Sequence, residues 1–483
     1  MIFRKLAKDS AIYGGADFFS RVIAFFTFPL IAAALSPLAF GALELVATTT
    51  ALLGLVINCG LNNAVQRFYW DKDTTVMQRP VIVSTGMALQ IALGVLIIAV
   101  GALISPIIYP QAQKANLPFS WIALIAALFL MAANQWNQFI LDVVRLHFTP
   151  WKFFILELLS KVLIAFAGVA VVVYFKWGID GLLGIQALIM FALLPVALFM
   201  IRKDITSAIE VNWARELTKF GYPFIFAGMA FWLFSSMDRW MLALMSSVEE
   251  VGIYSVASKF STIVLFASMA FGQAWSPFAM KIRTDNPDSY REIFAHVLLL
   301  LLFIMLLIGG ILGLFSGELI AFLMPEEYRG SALPLIVLCF GIALQATQQV
   351  TATGISLEKK TFLFARLAWL TAGVNFVLNW VLIPAYGATG AAVATAIAYL
   401  LVTGSYLYYT QKLHPLPIPW KNLSVILCSG IMMTLIAVLW NQHTFSWRIA
   451  GLKLFVFAGV AGIGWLMLPV KKWENVQLLR QGR

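Results

Sequence analysis

The sequence predicts a bundle of membrane-spanning α-helices, and three observations lead to that fold class. First, 61% of the 483 residues are hydrophobic and 11% are charged, whereas soluble proteins are nearer one half apolar. Second, apolar runs of roughly 20 residues, long enough to cross a hydrocarbon core of ~30 Å, recur to the end of the chain. Third, runs such as VLLLLLFIMLLIGGILGLF (297–315) are apolar on every face, unlike the alternating strands of a β-barrel.

Fourteen spans are predicted in chain order, each ended by a short gap that is polar or contains Pro or Gly. The predicted spans are 11–33, 40–62, 80–104, 118–139, 153–174, 182–201, 220–243, 253–275, 292–315, 333–356, 364–383, 389–410, 422–440 and 450–469. Arg4, Lys5 and Lys8 before the first span resemble the start of a secretory signal. That span is too long for a signal and carries Asp17 and Arg21, so we interpret it as a retained helix.

The Lys and Arg residues predict the orientation. If the N-terminus is cytoplasmic, the loops on that side hold 24 of the 33 Lys and Arg residues, and the opposite loops hold only Lys114, Lys176, Arg329 and Arg448. The positive-inside rule then places both termini in the cytoplasm. The net charge of +11 is scattered over short loops, which favours topology determinants facing anionic lipid over a surface for nucleic acid.

Two segments recur at nearly the same separation. SPLAFGALELVATT (36–49) resembles SSVEEVGIYSVASK (246–259), and their glycines are 211 residues apart. KWGIDGLLG (176–184) resembles AYGATGAAV (385–393), with glycines 209 residues apart. An internal repeat explains both separations, although similar composition among membrane helices remains the alternative.

The repeat predicts two lobes of six helices each. Since six is even, both halves enter the membrane from the same side and form a parallel repeat about a pseudo-two-fold axis along the membrane normal. The predicted divisions are an N-terminal lobe over 1–203, a C-terminal lobe over 204–412, and two further helices with a cytoplasmic tail over 413–483.

Charged side chains within the predicted spans indicate where function lies. An ionised group near the bilayer centre costs about 2.5–3.5 kcal/mol on insertion scales, so it usually faces a bundle interior or a wet cavity. The candidates are Asp17, Arg21, Glu44, Glu157 and Lys161 in the first half and Asp238, Arg239, Lys259 and His296 in the second.

The spacing of these charges leaves two interpretations open. Asp17/Arg21 and Glu157/Lys161 are spaced i,i+4, which places both heads on one helical face, so each pair could simply neutralise itself. Lys259 has no acid three or four residues away, so its partner must come from another helix, water or a ligand.

If the lobes face each other across a cavity, cations from both halves would line it, and an anionic, phosphorylated substrate is then the natural guest. The predicted headgroup-binding residues are Arg21, Lys161 and Lys259. The predicted coupling or counter-charge residues are Asp17, Glu44 and Glu157.

Motifs for catalysis or cofactor binding are absent from the sequence. There is no G-x-x-x-x-G-K-[ST] for a nucleotide and no H-E-x-x-H for zinc, and the four histidines and three cysteines are scattered. We therefore expect a protein that is not an enzyme and has no cofactor or metal, with H+ or Na+ as candidate coupling ions.

Six segments carry a resemblance to a known family. They are GLNNAVQRFYWDKD (60–73), SSMDRWML (235–242), VGIYSVASKFSTIV (251–264), QAWSPFAMK (273–281), EEYRGSALPL (326–335) and NFVLNWVLIPAYGATGAAVAT (375–395). Together they resemble polysaccharide transporters, such as O-antigen and other repeat-unit flippases, of the multidrug/oligosaccharidyl-lipid/polysaccharide flippase superfamily. The resemblance extends from residue 1 to about residue 410.

This resemblance implies a flippase of the bacterial inner membrane. Such a protein moves a polyprenyl-pyrophosphate-linked oligosaccharide from the cytoplasmic to the periplasmic leaflet by alternating access, with an ion gradient or the membrane potential as driving force. It implies two six-helix lobes in a V shape, a cationic cavity, membrane lipids as surroundings and a glycan polymerase as candidate partner. Lys259 matches the lysine of the family's Y-S-V-A-x-K segment, whereas Arg21 is inferred from charge and depth.

Two alternatives remain open. A multidrug or small-solute antiporter of the same superfamily would present an acid-rich cavity to cationic drugs. A membrane glycosyltransferase or polymerase would need catalytic acids on an outer loop, where Glu318, Glu326 and Glu327 are the main ones.

Overall fold

A computed structural model describes residues 2–114, 116–360 and 362–468. The regular elements in those residues are helices, which confirms the predicted fold class. The α-helices are α1 (Ile2–Ala34), α2 (Pro37–Asn58), α3 (Leu61–Tyr69), α4 (Gln78–Lys114), α5 (Trp121–Leu146), α6 (Pro150–Val169), α7 (Gly178–Met200), α8 (Val211–Gly221), α9 (Pro223–Met245), α10 (Val248–Asp285), α11 (Tyr290–Leu314), α12 (Ser316–Leu323), α13 (Ala332–Ala346), α14 (Gln348–Thr351), α15 (Thr353–Leu357), α16 (Phe362–Leu413), α17 (Trp420–Leu439) and α18 (Trp447–Leu466).

Thirteen helical segments in the described residues are long and apolar enough to cross a membrane, against fourteen predicted spans. The difference lies in α16, whose 52 residues cover the predicted spans 364–383 and 389–410. Gly387 breaks the helical geometry there with φ 51° and ψ −131°, so α16 consists of two helices that meet at this residue, one for each predicted span. Residue 469, the predicted end of the last span, and the predicted cytoplasmic tail lie outside the described residues.

The chain forms two compact units, Met1–Met237 and Asp238–Arg483, which divide within α9. The lobe boundaries expected at 203 and 412 stay a prediction.

In the first unit, a break between α2 and α3 sets the packing. Cys59 and Gly60 both have positive φ values, 46° and 66°, and such a conformation ends a helix. At Gly60 the chain passes so close to Gly221 that an added Cβ would lie 2.1 Å from the Gly221 carbonyl oxygen. The amphipathic helices α3 and α8 therefore pack against each other, with the rings of Phe68 and Trp213 5.8 Å apart.

In the second unit, α13 lies at the centre and packs against α10, α11, α16 and α17. Small residues permit these close approaches: a Cβ at Gly309 of α11 would lie 2.9 Å from the Cys339 carbonyl oxygen of α13. Close packing of helices at small residues is typical of membrane bundles. Helix α17 packs against α11 and α13, and α18 packs against α17 and α11, so the last two spans join this unit.

Candidate functional site

The first intramembrane ion pair lies on α1. Arg21 Nε donates to Asp17 Oδ2 at 3.0 Å, one helical turn away. The side chains are nevertheless 44% and 48% exposed, respectively. The pair therefore neutralises itself locally, as one interpretation of the spacing requires, while both heads remain accessible to a ligand.

The second pair lies on α6, which packs against α1. Lys161 Nζ is 3.9 Å from Glu157 Oε1, and the lysine side chain is 43% exposed while the glutamate is 17% exposed. At 3.9 Å the contact is an ion pair without a close hydrogen bond. The Lys161 ammonium is thus held less tightly by its own helix than the Arg21 guanidinium.

Two contacts fix the relative direction of α1 and α6. The rings of Tyr13 and Phe153 lie 5.2 Å apart at one end, and Ile31 lies against Gly168 at the other, 3.8 Å from where a Cβ would be built. Residue numbers increase from the first contact to the second in both helices, so α1 and α6 run parallel.

Parallel packing places the like charges of the two helices at matching heights. Asp17 and Glu157 each lie four residues beyond the Tyr13–Phe153 contact, and Arg21 and Lys161 each lie eight residues beyond it. At about 1.5 Å per residue, the acids form one level and the cations another about 6 Å further along. Arg21 and Lys161 therefore lie at the same depth within their predicted membrane spans, and this pair of cations is called the Arg21–Lys161 level.

Glu44 is the most buried of the predicted acids in the first unit. Its side chain is 9% exposed and lines a cavity of about 370 Å³ between α2, α5 and α7. Asn134, Gln135 and Gln186 bring amide groups to the same cavity. A carboxylate among uncharged polar groups, at membrane depth, can take up a proton or a small cation.

Lys259 lies half-buried on α10 in the second unit. Asp238 and Arg239 form a separate buried group in that unit: Asp238 is 5% exposed and accepts a hydrogen bond from the Tyr254 hydroxyl. The Arg239 amide donates to Asp238 Oδ1 at 2.8 Å, so this carboxylate is held by its neighbours within the unit. Since Arg21 and Lys161 belong to the first unit, a cavity shared with Lys259 stays a prediction.

The sequence analysis missed a buried polar network in the first unit. Asn62 donates to Asp142 Oδ2 at 2.6 Å, and Gln90 donates to Asn62 Oδ1 at 2.6 Å. Arg145 pairs with the other oxygen of Asp142 at 3.1 Å. Asn62 belongs to the GLNNAVQRFYWDKD segment, so part of that motif holds α3, α4 and α5 together.

Two His–carboxylate pairs were also missed, one in each unit. His147 Nε2 lies 2.7 Å from Asp204 Oδ2, and His414 Nδ1 lies 3.4 Å from Glu358 Oε1. Asp204 and His414 are 210 residues apart, and His147 and Glu358 are 211 apart. These separations match those of the predicted repeat, with the acid and the base exchanged, so the separations of 209 and 211 already found in the sequence could have located the pair.

A fully buried cation lies in the second unit. Lys453 of α18 is 0% exposed; its Nζ donates to Glu318 Oε1 at 2.5 Å and to the Leu314 carbonyl at 2.8 Å. Arg329 pairs with Glu326 at 2.6 Å. Of the three acids considered for a catalytic outer loop, Glu318 is therefore buried against a cation, whereas Glu326 is paired but exposed.

Two family models match the chain. The model of polysaccharide biosynthesis proteins matches residues 6–283, and the MatE model matches residues 223–381.

Curated relatives match about half of the chain. A probable low-salt glycan biosynthesis flippase, Agl15 of Haloferax volcanii, is 24% identical over 226 residues, covering 45% of this chain and 48% of that protein. The probable flippase AglR of the same organism is 26% identical and covers 51% of this chain and 53% of its own length. The capsular polysaccharide biosynthesis protein CapF of Staphylococcus aureus is 24% identical, with 42% and 54% covered. The chain thus spans about half the length of the curated relatives it matches.

Solved structures share the fold over most of the chain. The lipid II flippase MurJ in an inward closed conformation superposes with a TM-score of 0.70 at 15% identity, covering 97% of this chain and 99% of that one. An inward-facing multidrug resistance MATE transporter of the MOP superfamily superposes with a TM-score of 0.55 at 14% identity, covering 81% and 94%. At these identities the likeness shows the fold alone.

Proposed function

Because the chain belongs to the family of polysaccharide biosynthesis proteins, as the motif resemblance predicted, we propose that this multi-pass membrane protein is a flippase for lipid-linked glycans. Its substrate is a polyprenyl-pyrophosphate-linked oligosaccharide, which it moves from the cytoplasmic to the outer leaflet of a bacterial inner membrane. The family match over residues 6–283 carries the proposal. Relatives named as flippases and the fold shared with a lipid II flippase support it.

The intramembrane charges suit such a substrate. Arg21 and Lys161 lie at one level of the first unit and remain 44% and 43% exposed, so a pyrophosphate can compete with their carboxylate partners. Arg is suited to bidentate contact with phosphate oxygens, and Lys supplies a point charge. Lys259 is proposed to contact the same headgroup from the second lobe during alternating access.

Energy for the movement is proposed to come from a coupling ion, H+ or Na+, or from the membrane potential. Glu44 is the proposed coupling group because it is buried beside a cavity to which Asn134, Gln135 and Gln186 bring amide groups, with Asp17 and Glu157 as counter-charges for the cations. Each elementary charge carried across the membrane supplies about 2.3 kcal/mol per 100 mV, enough to bias a two-state equilibrium. Gradient-driven transport requires no catalytic chemistry, in keeping with Glu318, which is buried against Lys453.

The test uses the full-length protein in proteoliposomes with a fluorescent polyprenyl-pyrophosphate glycan. We expect Arg21→Ala and Lys259→Ala to lower the flipping rate at least about tenfold, because each removes a charged contact to phosphate, while membrane insertion is unchanged. Arg21→Lys should retain part of the rate. Lys72→Ala, an exposed loop cation, is the matched control. Rates equal to wild type in both alanine variants would remove these residues from the site.

The MatE match over residues 223–381 favours one second candidate, a multidrug antiporter. That function predicts drug resistance on overexpression and normal surface glycan in a deletion strain. Loss of surface glycan on deletion, restored by the wild-type chain and without a change in drug resistance, would exclude it.

A further inference from the structure

A cavity of about 620 Å³ lies in the first unit where α3, α5, α6 and α7 end or begin, away from the Arg21–Lys161 level. Three cations line it: Lys152 from the first turn of α6, and Arg202 and Lys203 from the turn after α7. All three side chains are exposed. Within residues 2–114, 116–360 and 362–468, none of them forms an ion pair, so their charge is available to a ligand.

Buried side chains that contact one another form the floor of this cavity. Asp204 closes the 3-10 turn that carries Arg202 and Lys203, and its side chain is 7% exposed. The Tyr69 hydroxyl donates to Asp204 Oδ1 at 2.9 Å, and His147 Nε2 lies 2.7 Å from Oδ2. The single carboxylate that lines the cavity is therefore held by Tyr69 and His147, and the turn that it closes carries the exposed Arg202 and Lys203.

One wall of the cavity is apolar and continues along α7. Phe199, which is 65% exposed, lines the cavity, and the Arg202 guanidinium lies 4.0 Å from the centre of its ring. Leu188, Ala192, Val196 and Phe199 are all exposed, and their spacing places them on one face of α7. An apolar stripe thus runs along a predicted membrane span and ends at the cations.

Aromatic side chains place the cavity at the membrane surface. Phe148 and Trp151, next to His147 and Lys152 in the chain, are 65% and 57% exposed. Exposed tryptophan at helix ends is typical of the headgroup layer.

We propose that this cavity binds the phosphate of an anionic phospholipid, whose acyl chain lies on the apolar stripe of α7. Basic pockets between membrane helices on the cytoplasmic side recognise such headgroups. The continuous apolar stripe favours a lipid over a soluble phosphate, because a soluble phosphate has no acyl chain to contact the stripe. Phospholipid binding at this cavity requires only that the chain lies in a membrane, and it is independent of the glycan substrate.

The experiment measures phosphatidylglycerol retained by the full-length protein in native mass spectrometry after transfer from mixed phosphatidylglycerol/phosphatidylcholine nanodiscs. We expect the K152Q/R202Q/K203Q variant to retain phosphatidylglycerol at least about tenfold more weakly than wild type. The reason is that each of the three cations removed makes a favourable contact with the lipid phosphate. The control is K72Q/R215Q/K219Q, which removes three exposed cations of the same unit outside the cavity and should retain the lipid as wild type does.

Further measurements distinguish loss of binding from misfolding and identify the source of the bound phosphate. K152R/R202K/K203R keeps the charge and should restore retention, which a misfolded variant would not do. Equal loss in the cavity variant and its control would overturn the proposal. Displacement of phosphatidylglycerol by inorganic phosphate would assign the cavity to a soluble anion, and displacement by polyprenyl pyrophosphate would assign it to the transport path; either outcome overturns the phospholipid assignment.

Discussion

At the scale of single residues, Arg21 and Lys453 are both cations within membrane helices with a carboxylate partner, yet they differ in access. Lys453 is 0% exposed, whereas the Arg21 side chain is 44% exposed. A cation sealed against Glu318 and a backbone carbonyl can only stabilise the fold. A cation that remains exposed beside Asp17 can exchange its partner for a ligand, so access separates a structural pair from a candidate binding pair.

The first residue-scale prediction concerns Lys453→Met. Removing one partner of a buried pair leaves the Glu318 carboxylate uncompensated, which costs about 3–5 kcal/mol. We expect a large loss of thermal stability in detergent, measured by fluorescence-detected size-exclusion after heating. The double variant K453M/E318Q removes the orphaned charge and should be more stable than K453M alone, since contacting residues are not additive. If the loss of stability in the double variant equals the sum of the losses in K453M and E318Q, the two side chains are not coupled, and the pairing is contradicted.

His414 gives a second prediction, on pH. Burial lowers the pKa of the His414 imidazole from its ordinary value of 6.5, with Arg291 and Arg283 acting in the same direction and Glu358 opposing them. Tyr290 lies 3.0 Å from Nε2. The folded protein thus binds this proton less readily than the unfolded chain, so its stability is full above about pH 6.5 and falls as the pH drops towards the lowered value.

The measurement is the thermal midpoint in detergent across that range. We expect H414Q to lose part of the acid sensitivity, because Gln carries no titrating group. H443Q, which removes a histidine from the loop after α17, should keep the wild-type profile. Identical profiles for all three proteins would assign the acid sensitivity to other groups.

At the scale of elements, the kink in α16 depends on Gly387. Its φ of 51° is in a region that side chains rarely adopt, and a Cβ there would lie 2.5 Å from Glu250 Oε2. That same oxygen accepts a hydrogen bond from the Ala388 amide at 2.6 Å. The Glu250 carboxylate therefore caps the second half of α16, where a negative charge is favoured at a helix start.

We predict that Gly387→Ala lowers the yield of folded protein strongly, because both the backbone conformation and the space are lost. Gly373→Ala in the same helix is the matched control, since nothing lies within 4 Å of its added Cβ. Glu250→Gln, which keeps an oxygen acceptor, should be milder than Glu250→Ala. These yields can be compared by size-exclusion profiles of solubilised membranes, and an equal yield for Gly387→Ala and Gly373→Ala would refute the role of the kink.

The elements also show what the sequence could predict. Hydropathy identified the membrane spans, and the i,i+4 pairs Asp17/Arg21 and Glu157/Lys161 could be predicted because both partners lie within one helical turn. Lys453 and Glu318 are 135 residues apart, and Asn62 and Asp142 are 80 apart. Such pairs depend on which helices pack together, which hydropathy does not encode. The predicted repeat offers one long-range signal, because Asp204 and His414 are 210 residues apart.

At the scale of the whole molecule, orientation in the membrane connects the two proposals. In the orientation that the positive-inside rule predicts, Lys152, Arg202 and Lys203, and hence the proposed phospholipid cavity, would lie on the cytoplasmic side. Arg21 and Lys161 lie ten and eight residues inside their predicted spans, so a substrate from the cytoplasm would meet them only after it has entered the membrane.

Orientation is testable with single cysteines in a C59A/C339A/C428A background, which removes the native thiols. Lys72 and Lys114 are exposed loop or helix-end residues on opposite predicted sides. In sealed right-side-out vesicles, we expect a membrane-impermeant maleimide to label K114C and not K72C, because only the first faces the outer solution. Both should react once the vesicles are opened with detergent. Labelling of K72C in sealed vesicles would show that the predicted orientation is wrong. The proposed direction of transport and the leaflet that supplies the phospholipid would then be reversed as well.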